Sequence, residues 1–318
     1  MIYDVLGVSY NSKLLFLGII VTFLTTVISI SFLKDVLPHD GGREFAVNGQ
    51  LSKGKPRGAG IVFVFCFVIM SLIFVPVSKE YLVYCVLIIA AMLSGYLDDR
   101  SDVPWNEYKK GAIDLLISLL AAVTFVNFNK DTVGIFFKGE FYNIPSVIYV
   151  ILATILIWVS INVTNCSDGV DGLCGSLSLV SLFTVFIILS SIGSEYSSYT
   201  LIIMASILGY LWFNISPSKL LMGDAGSRAL GFVLGVLAMK TLNPVLYILF
   251  AFMLIVDGGL GLIKVFLLRF LKIAILKNVR TPIHDHARKN KNWSDAQVVY
   301  KFVVVQFLVS SFLVFCIL

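Results

Sequence analysis

The chain has 318 residues, 58% of them apolar, and a formal charge of +5. Soluble globular chains carry about 45–50% apolar residues, so a water-soluble fold is excluded and lipid is the expected solvent. The apolar runs are continuous rather than alternating, which argues against a β-barrel and for helices, whose backbone groups satisfy one another in lipid.

Apolar runs follow one another at 14–33, 59–77, 81–97, 111–127, 144–161, 173–192, 198–214, 228–242, 244–268 and 297–318. They predict an all-α polytopic membrane protein of about ten transmembrane helices, forming one domain over 1–318. The first run reads as a retained helix rather than a removed signal. No internal repeat supports an inverted-repeat transporter. An even number of crossings puts both termini on one side. The loops and helix ends after odd-numbered helices hold all 24 Lys and Arg residues except Lys13, Lys79, Lys130, Lys138 and Lys240. That asymmetry assigns the basic face to the cytoplasm and both termini to the outside. It offers a surface to anionic headgroups or phosphate substrates, with no nucleic acid expected. Cys66, Cys85 and Cys316 lie inside apolar runs as small hydrophobes, and Cys166 and Cys174 lack the spacing of a zinc site.

Each loop on the basic face carries a polar cluster. The first runs His39-Asp40-Gly41-Gly42-Arg43, then Ser52-Lys53-Gly54-Lys55-Pro56-Arg57-Gly58-Ala59-Gly60. Gly and Pro forbid a regular helix there. The basic side chains suit phosphate, and equally an ordinary basic loop on the inner leaflet. The second, Asp98-Asp99-Arg100-Ser101-Asp102, places adjacent carboxylates at a membrane boundary. They repel unless a cation or proton relieves them; a solvated acidic helix end paired with Arg100 is the plainer reading.

In the third cluster Asn162, Asn165, Asp168 and Asp171 recur every three positions, and two Asp-Gly steps mark a turn before Leu173. Carboxamides with carboxylates can read a nucleobase or ribose, or contact a metal's water shell. An EF-hand is excluded because Leu179 stands where its final Glu belongs. The fourth is Trp212-Phe213-Asn214 followed by Met222-Gly223-Asp224-Ala225-Gly226-Ser227. A carboxylate flanked by glycines is open to a magnesium ion, and Asp224 or Ser227 can also cap the next helix. The fifth, Thr281-Pro282-Ile283-His284-Asp285-His286 with Arg288 and Lys289, suits phosphate or substrate contact better than zinc. Asp114 and Asp257 alone among the notable acids lie away from helix ends, where an ion-coupled transporter would place its acids. Gly258, Gly259 and Gly261 beside Asp257 predict either a bend that opens a lipid-facing groove or close helix packing.

Leu97–Asp102, Asn162–Leu173, Gly223–Ser227 and His284–His286 together resemble the signature loops of the polyprenyl-phosphate N-acetylhexosamine-1-phosphate transferases, in order and over nearly the whole chain. Trp212-Phe213-Asn214, Thr281–His284 and Trp293-Ser294 leading into Val298–Phe302 look most like the branch whose donor is UDP-N-acetylmuramoyl-pentapeptide. The chain also departs from that branch. Its glycine loop, usually close to G-T-P-T-M-G-G, reads Gly54-Lys55-Pro56-Arg57-Gly58-Ala59-Gly60. Asp285 replaces the middle of three histidines, and Asp98–Asp102 is closer to the branch using UDP-N-acetylglucosamine.

The resemblance implies a magnesium-dependent transferase of a bacterial cytoplasmic membrane, working with a UDP-amino sugar and polyprenyl phosphate. It would release UMP and form lipid I for peptidoglycan, or the N-acetylglucosamine counterpart; an inactive lipid-binding relative is the remaining alternative. It also implies a homodimer as a candidate assembly. Asp98, Asp99, Asp224 and His284 are the implied catalytic set. Asp224 is the metal ligand with Asp168 as a second candidate, Asp98 the activating carboxylate, and Lys110 and His284 phosphate holders. Asn165, Asp168, Asp171 and Asn214 match positions that contact the nucleoside or its pyrophosphate; Asp171 meets uracil, with Gly169 and Val170 supplying backbone. Leu221 falls where an aromatic packs on uracil, and Lys53, Asn162, Lys264, Asp285 and His286 complete the implied substrate contacts.

Overall fold

The computed structural model describes residues 10–42, 52–101, 103 and 105–317. Arg43 and Asp102, both named above, lie outside the described residues. The helices are α1 Ser12–Leu33, α2 Gly60–Phe74, α3 Lys79–Asp99, α4 Glu107–Phe128, α5 Ser146–Cys166, α6 Leu173–Ser191, α7 Tyr196–Asn214 and α8 Gly223–Lys240. Then come α9 Pro244–Phe250 and α10 Phe252–Leu271, a bent pair, followed by α11 Ile283–Lys291 and α12 Asp295–Ile317. Every predicted apolar run is helical. Among the described residues, seven helices are long and apolar enough to cross a membrane. Of the other runs, α2 is short, the α9–α10 pair is bent, and Asp224, Arg228 and Lys240 interrupt α8.

Local sequence starts these helices where an orphan amide needs a partner. Asn11, Ser78 and Asn106 accept from Leu14, Tyr81 and Lys109 amides at the starts of α1, α3 and α4. At the centre stands α8, with Ala225 through Lys240 all buried and packed on α3 and α5. Around it α4 meets α5, α1 meets α7, and α6 sits between α7 and α12. Outward faces carry Phe16, Val147, Trp212 and Phe312, each more than half exposed, as a lipid-facing surface requires.

Two elements were not foreseen. A β-hairpin, β1 Gly134–Phe137 with β2 Glu140–Asn143, interrupts the all-α pattern. Its turn residues Lys138 and Gly139 both take positive φ, the twist a two-residue hairpin demands. The Phe136 amide donates to Leu242 O (2.8 Å), fixing the hairpin beside the C-terminal end of α8. The polar helix α11 also lay hidden in what reads as a basic loop.

The bend expected at Gly258, Gly259 and Gly261 occurs earlier. The chain turns by 73° between Phe250 and Phe252, at Ala251. Gly258 serves the close-packing role: a side chain there would run into Val163 O of α5. A break at this depth frees backbone groups that lipid cannot satisfy. Gln306 of α12, wholly buried, answers them. Its Nε2 donates to Leu249 O (3.2 Å) and Phe250 O (2.9 Å), and its Oε1 accepts from the Met253 amide (2.8 Å).

Candidate active site

Backbone pairing builds the site before any side chain contributes. Asp40 exchanges bonds with Lys55 and Gly54, and the Arg57 amide donates to Pro38 O (2.7 Å), so the glycine loop folds back on the end of the first linker. The same loop is sewn to the approach to α8: the Leu221 amide donates to Pro56 O (2.8 Å), and the Ala59 and Gly60 amides donate to Leu221 O and Met222 O. Gly60 and Gly95 let α2 and α3 close on the start of α8. A Cβ on the first would strike Gly226 backbone, and on the second Asp224 backbone.

Three carboxylates meet there. Asp224 sits in the first turn of α8, where the helix dipole favours negative charge. Met222, rather than Asp224 or Ser227, occupies its capping position. Asp98 accepts from the Trp105 amide (2.8 Å) and forms a close ion pair with Lys110. The Asp99 side chain is fully buried; Oδ1 faces Arg57 Nη2 at 2.9 Å, and Oδ2 accepts from the Ala225 amide (3.3 Å). Asp224 lies between the two bases, 3.5 Å from Arg57 Nη2 and 3.4 Å from Lys110 Nζ. Burial works against the Arg57 charge, but Asp99, Asp224 and Asp40 outweigh it and hold the guanidinium above its ordinary pKa.

Beside this cluster opens a cavity of about 600 Å³, within the range of ligand pockets. The first, third, fourth and fifth polar loops all line it, and Arg57 joins it to the carboxylates of the second. Asn165, Asp168, Gly169, Val170, Asp171, Asn214, Leu221, His284 and Asp285 are at its walls. Asn165 donates to Ser227 Oγ (3.0 Å). Asn214, almost fully buried, accepts from the Gly172 amide (2.9 Å) and donates to Leu220 O (2.9 Å), so it fixes two loops at once. Asp171 accepts from the Ser218 amide (2.9 Å) and pairs with Lys55 Nζ (3.5 Å).

His284 is buried and oriented by Asp257 of α10, which accepts from its amide (2.7 Å) and faces its Nδ1 at 2.8 Å. Desolvation lowers the His284 pKa, but the Asp257 charge and hydrogen bond overcome it and raise it above the ordinary value. The other ring nitrogen, Nε2, faces Gly169, where any side chain would collide with it. Arg288 closes this wall, donating to Gly169 O (3.2 Å) and pairing with Asp295 (2.9 Å).

Comparison with known proteins places this geometry. The family model described as glycosyl transferase family 4 matches residues 81–242. A phospho-N-acetylmuramoyl-pentapeptide-transferase of Treponema pallidum is 38% identical over 295 residues, covering 86% of this chain and 81% of the relative. The chain belongs to glycosyl transferase family 4, on its phospho-N-acetylmuramoyl-pentapeptide-transferase branch. Proteins of the same description from the Wolbachia of Brugia malayi and from Sulfurimonas denitrificans are each 26% identical. They cover 95% and 91% of this chain, and 98% and 89% of their own lengths.

For a family 4 transferase, several expected residues stand apart from the cavity. Lys53 is exposed. Asn162 turns its amide back to Trp158 O of its own helix (2.8 Å). Lys264 ties down the segment after α10 through Leu276 O and Val279 O (3.1 and 2.8 Å). His286 Nδ1 accepts from the Arg280 amide (3.4 Å). Conversely Asp40, Lys55 and Arg57 line the cavity and Asp257 holds His284; of these the sequence pointed only to the basic side chains of the first loop, as suited to phosphate. Asp257 did leave a signal: a carboxylate in an apolar run requires a partner. Both acids placed away from helix ends have one, since Asp114 accepts from Arg228 Nε (3.1 Å) and Nη2 (2.5 Å). The Asp98, Asp99 and Asp224 oxygens converge in pairs on single cationic nitrogens. Such hard, two-carboxylate donor sets suit magnesium, which fills its remaining positions with phosphate oxygens and water.

Proposed function

We propose that this chain transfers phospho-N-acetylmuramoyl-pentapeptide from its UDP-linked donor to undecaprenyl phosphate, releasing UMP and forming lipid I, at the cytoplasmic face of the bacterial cytoplasmic membrane. The chain crosses the membrane ten times as one domain, with both termini outside, and pairs as a homodimer. One observation carries the reading. Polar loops separated by apolar helices gather around a single cavity, with Asp98, Asp99 and Asp224 beside it at helix ends. A soluble polyanion and a membrane lipid can meet only at such a boundary.

An acceptor phosphate oxygen attacks the β-phosphorus of the donor. The bond from that phosphorus to the bridging oxygen breaks, and UMP leaves with the electron pair. Phosphoryl transfer asks for charge stabilisation and in-line positioning rather than covalent chemistry by the protein. Asp224 and Asp99, with Asp168 as a further candidate, would hold magnesium, which would supply charge neutralisation at the diphosphate. Asp98 fixes Lys110 and, with it, the acceptor phosphate. His284, held by Asp257, directs Nε2 to a donor phosphate. Asp171, Gly169, Val170 and Leu221 form the nucleoside wall, which Asn214 and Asn165 shape.

The test is UMP release by purified protein with magnesium and undecaprenyl phosphate, offered UDP-N-acetylmuramoyl-pentapeptide or UDP-N-acetylglucosamine. Turnover of the first donor is expected. Turnover of the second alone reassigns the donor, and no UMP from either overturns the reading.

A further inference from the structure

Lys110 and Arg57 both neutralise the carboxylate cluster, but they reach it differently. Lys110 rises from the first turns of α4. Arg57 comes from a loop whose backbone is pinned on both sides, at Pro38 O and through Pro56 O, so its side chain is the part free to move. Its guanidinium is divided. Nη1 faces Asp40 Oδ1 at 3.2 Å, while Nη2 faces Asp99 Oδ1 at 2.9 Å and Asp224 Oδ1 at 3.5 Å.

The two halves are not equally well made. Asp40 is a built anchor: buried, and also accepting from Ser52 Oγ (2.6 Å) and the Gly42 amide (3.2 Å). On the other side, Asp99 Oδ1 and Arg57 Nε are buried without a hydrogen-bond partner, so the contact to Asp99 is one of charge with poor alignment. The oxygens that face Nη2 are also those a divalent ion would need, and two cations cannot share them. Arg57 itself lines the cavity beside Lys55.

We infer that Arg57 is a tethered counter-cation that competes with the divalent metal for Asp99 and Asp224. Metal entry displaces Nη2, and the side chain, still anchored on Asp40, turns its freed donors to the donor diphosphate. Guanidinium binds such oxygens in bidentate fashion. The metal therefore completes the diphosphate site by releasing a cation already stored there. This rests on the transferase reading.

The test measures Mn²⁺ binding by electron paramagnetic resonance on the full-length protein in detergent, without substrate, alongside UMP release. Arg57→Gln keeps a polar side chain for Asp40 and removes the charge; Arg57→Lys keeps the charge with one nitrogen for two seats. Removing a cation this close to a carboxylate is expected to tighten Mn²⁺ binding about tenfold in Arg57→Gln, with a smaller gain in Arg57→Lys. Adding Asp224→Asn should erase the gain. The donor KM should rise in Arg57→Gln as metal affinity improves. Misfolding would weaken both, so opposite movements identify competition. UMP release with unchanged or weaker Mn²⁺ binding in both variants, or with no saturable Mn²⁺ binding, overturns the inference and leaves the transferase reading. Neither UMP release nor Mn²⁺ binding in the unsubstituted protein overturns both.

Discussion

The two ends of α8 carry the same kinds of residue and put them to different use. At its C-terminal end Lys240 is buried against Glu80 of α3 (2.6 Å) and Asn129 (3.0 Å), with the Tyr196 ring 4.4 Å away. Glu80 is filled in turn by Tyr84 (2.8 Å) and Asn129 (2.7 Å). At its N-terminal end, about 27 Å away at 1.5 Å per residue, Asp224 and Asp99 meet Arg57, which lines a cavity, and Arg57 Nε and Asp99 Oδ1 are buried without a hydrogen-bond partner. A buried ion pair whose atoms are all engaged has nothing left for a ligand. Charge alone therefore does not mark a site; unfilled bonding capacity beside open space does.

The sharpest way to break that comparison is to neutralise one acid at each end. Asp224→Asn should lower UMP release by about 10²–10³-fold, the scale of losing a preorganised electrostatic group, with the unfolding temperature kept. Glu80→Gln should do the reverse. It leaves Lys240 buried and unpaired, costing about 3–5 kcal/mol of stability in detergent while turnover at low temperature stays near normal. Replacing both partners, Glu80→Leu with Lys240→Leu, should recover most of that loss. A Glu80→Gln protein that is stable but inactive would make the far end functional and end the distinction.

Next in size is the break between α9 and α10. Gln306→Ala strips partners from the carbonyls of Leu249 and Phe250 and the amide of Met253. Each buried group left unsatisfied costs about 1–3 kcal/mol. Thermal unfolding should show that loss, and Gln306→Glu should not repair it, because a carboxylate cannot donate to the two carbonyls.

Most of the bundle could be read from the sequence because apolar length dictates a crossing helix whatever its neighbours. The start of α8 could not. Gly223-Asp224-Ala225-Gly226 reads as a loop, yet the dipole and the glycine contacts with α2 and α3 make it the first turn of a helix. Motif order located Asp98, Asp99, Asp224 and His284. It gave no view of Arg57 bridging Asp40, Asp99 and Asp224, or of Asp257 holding His284 from 27 positions away, since pairing across loops leaves no periodicity. The hairpin and α11 were missed because neither buries an apolar stripe long enough to register.

The Asp257–His284 pair offers a finer test through pH. The His284 pKa is raised in the folded state, so the pair's contribution is fully present below the unfolded histidine value, about 6.5, and is lost as pH rises through the folded value. Asp257→Asn removes that contribution. The gap in unfolding temperature between the variant and the unsubstituted protein should be widest near pH 5.5 and narrow toward pH 8.5. A gap that stays constant with pH would mean that Asp257 acts on His284 through packing alone.

The smallest effects should come from Lys53 and His286, which motif order placed among the substrate contacts and the fold sets apart from the cavity. Lys53 is exposed, and His286 serves the Arg280 amide at 3.4 Å. Neither is buried with a charge to balance, so alanine at either should stay within about 0.5 kcal/mol in stability. Donor KM should also hold within about twofold, in contrast to Arg57 and His284. A large rise in KM for Lys53→Ala would show that its loop reaches the bound donor. The nucleotide end of the site would then extend beyond the cavity to the basic surface around it, where an exposed lysine acts on an anion at range and loses its effect as salt rises. Repeating the KM measurement at 0.1 M and 1 M salt separates such steering from direct contact.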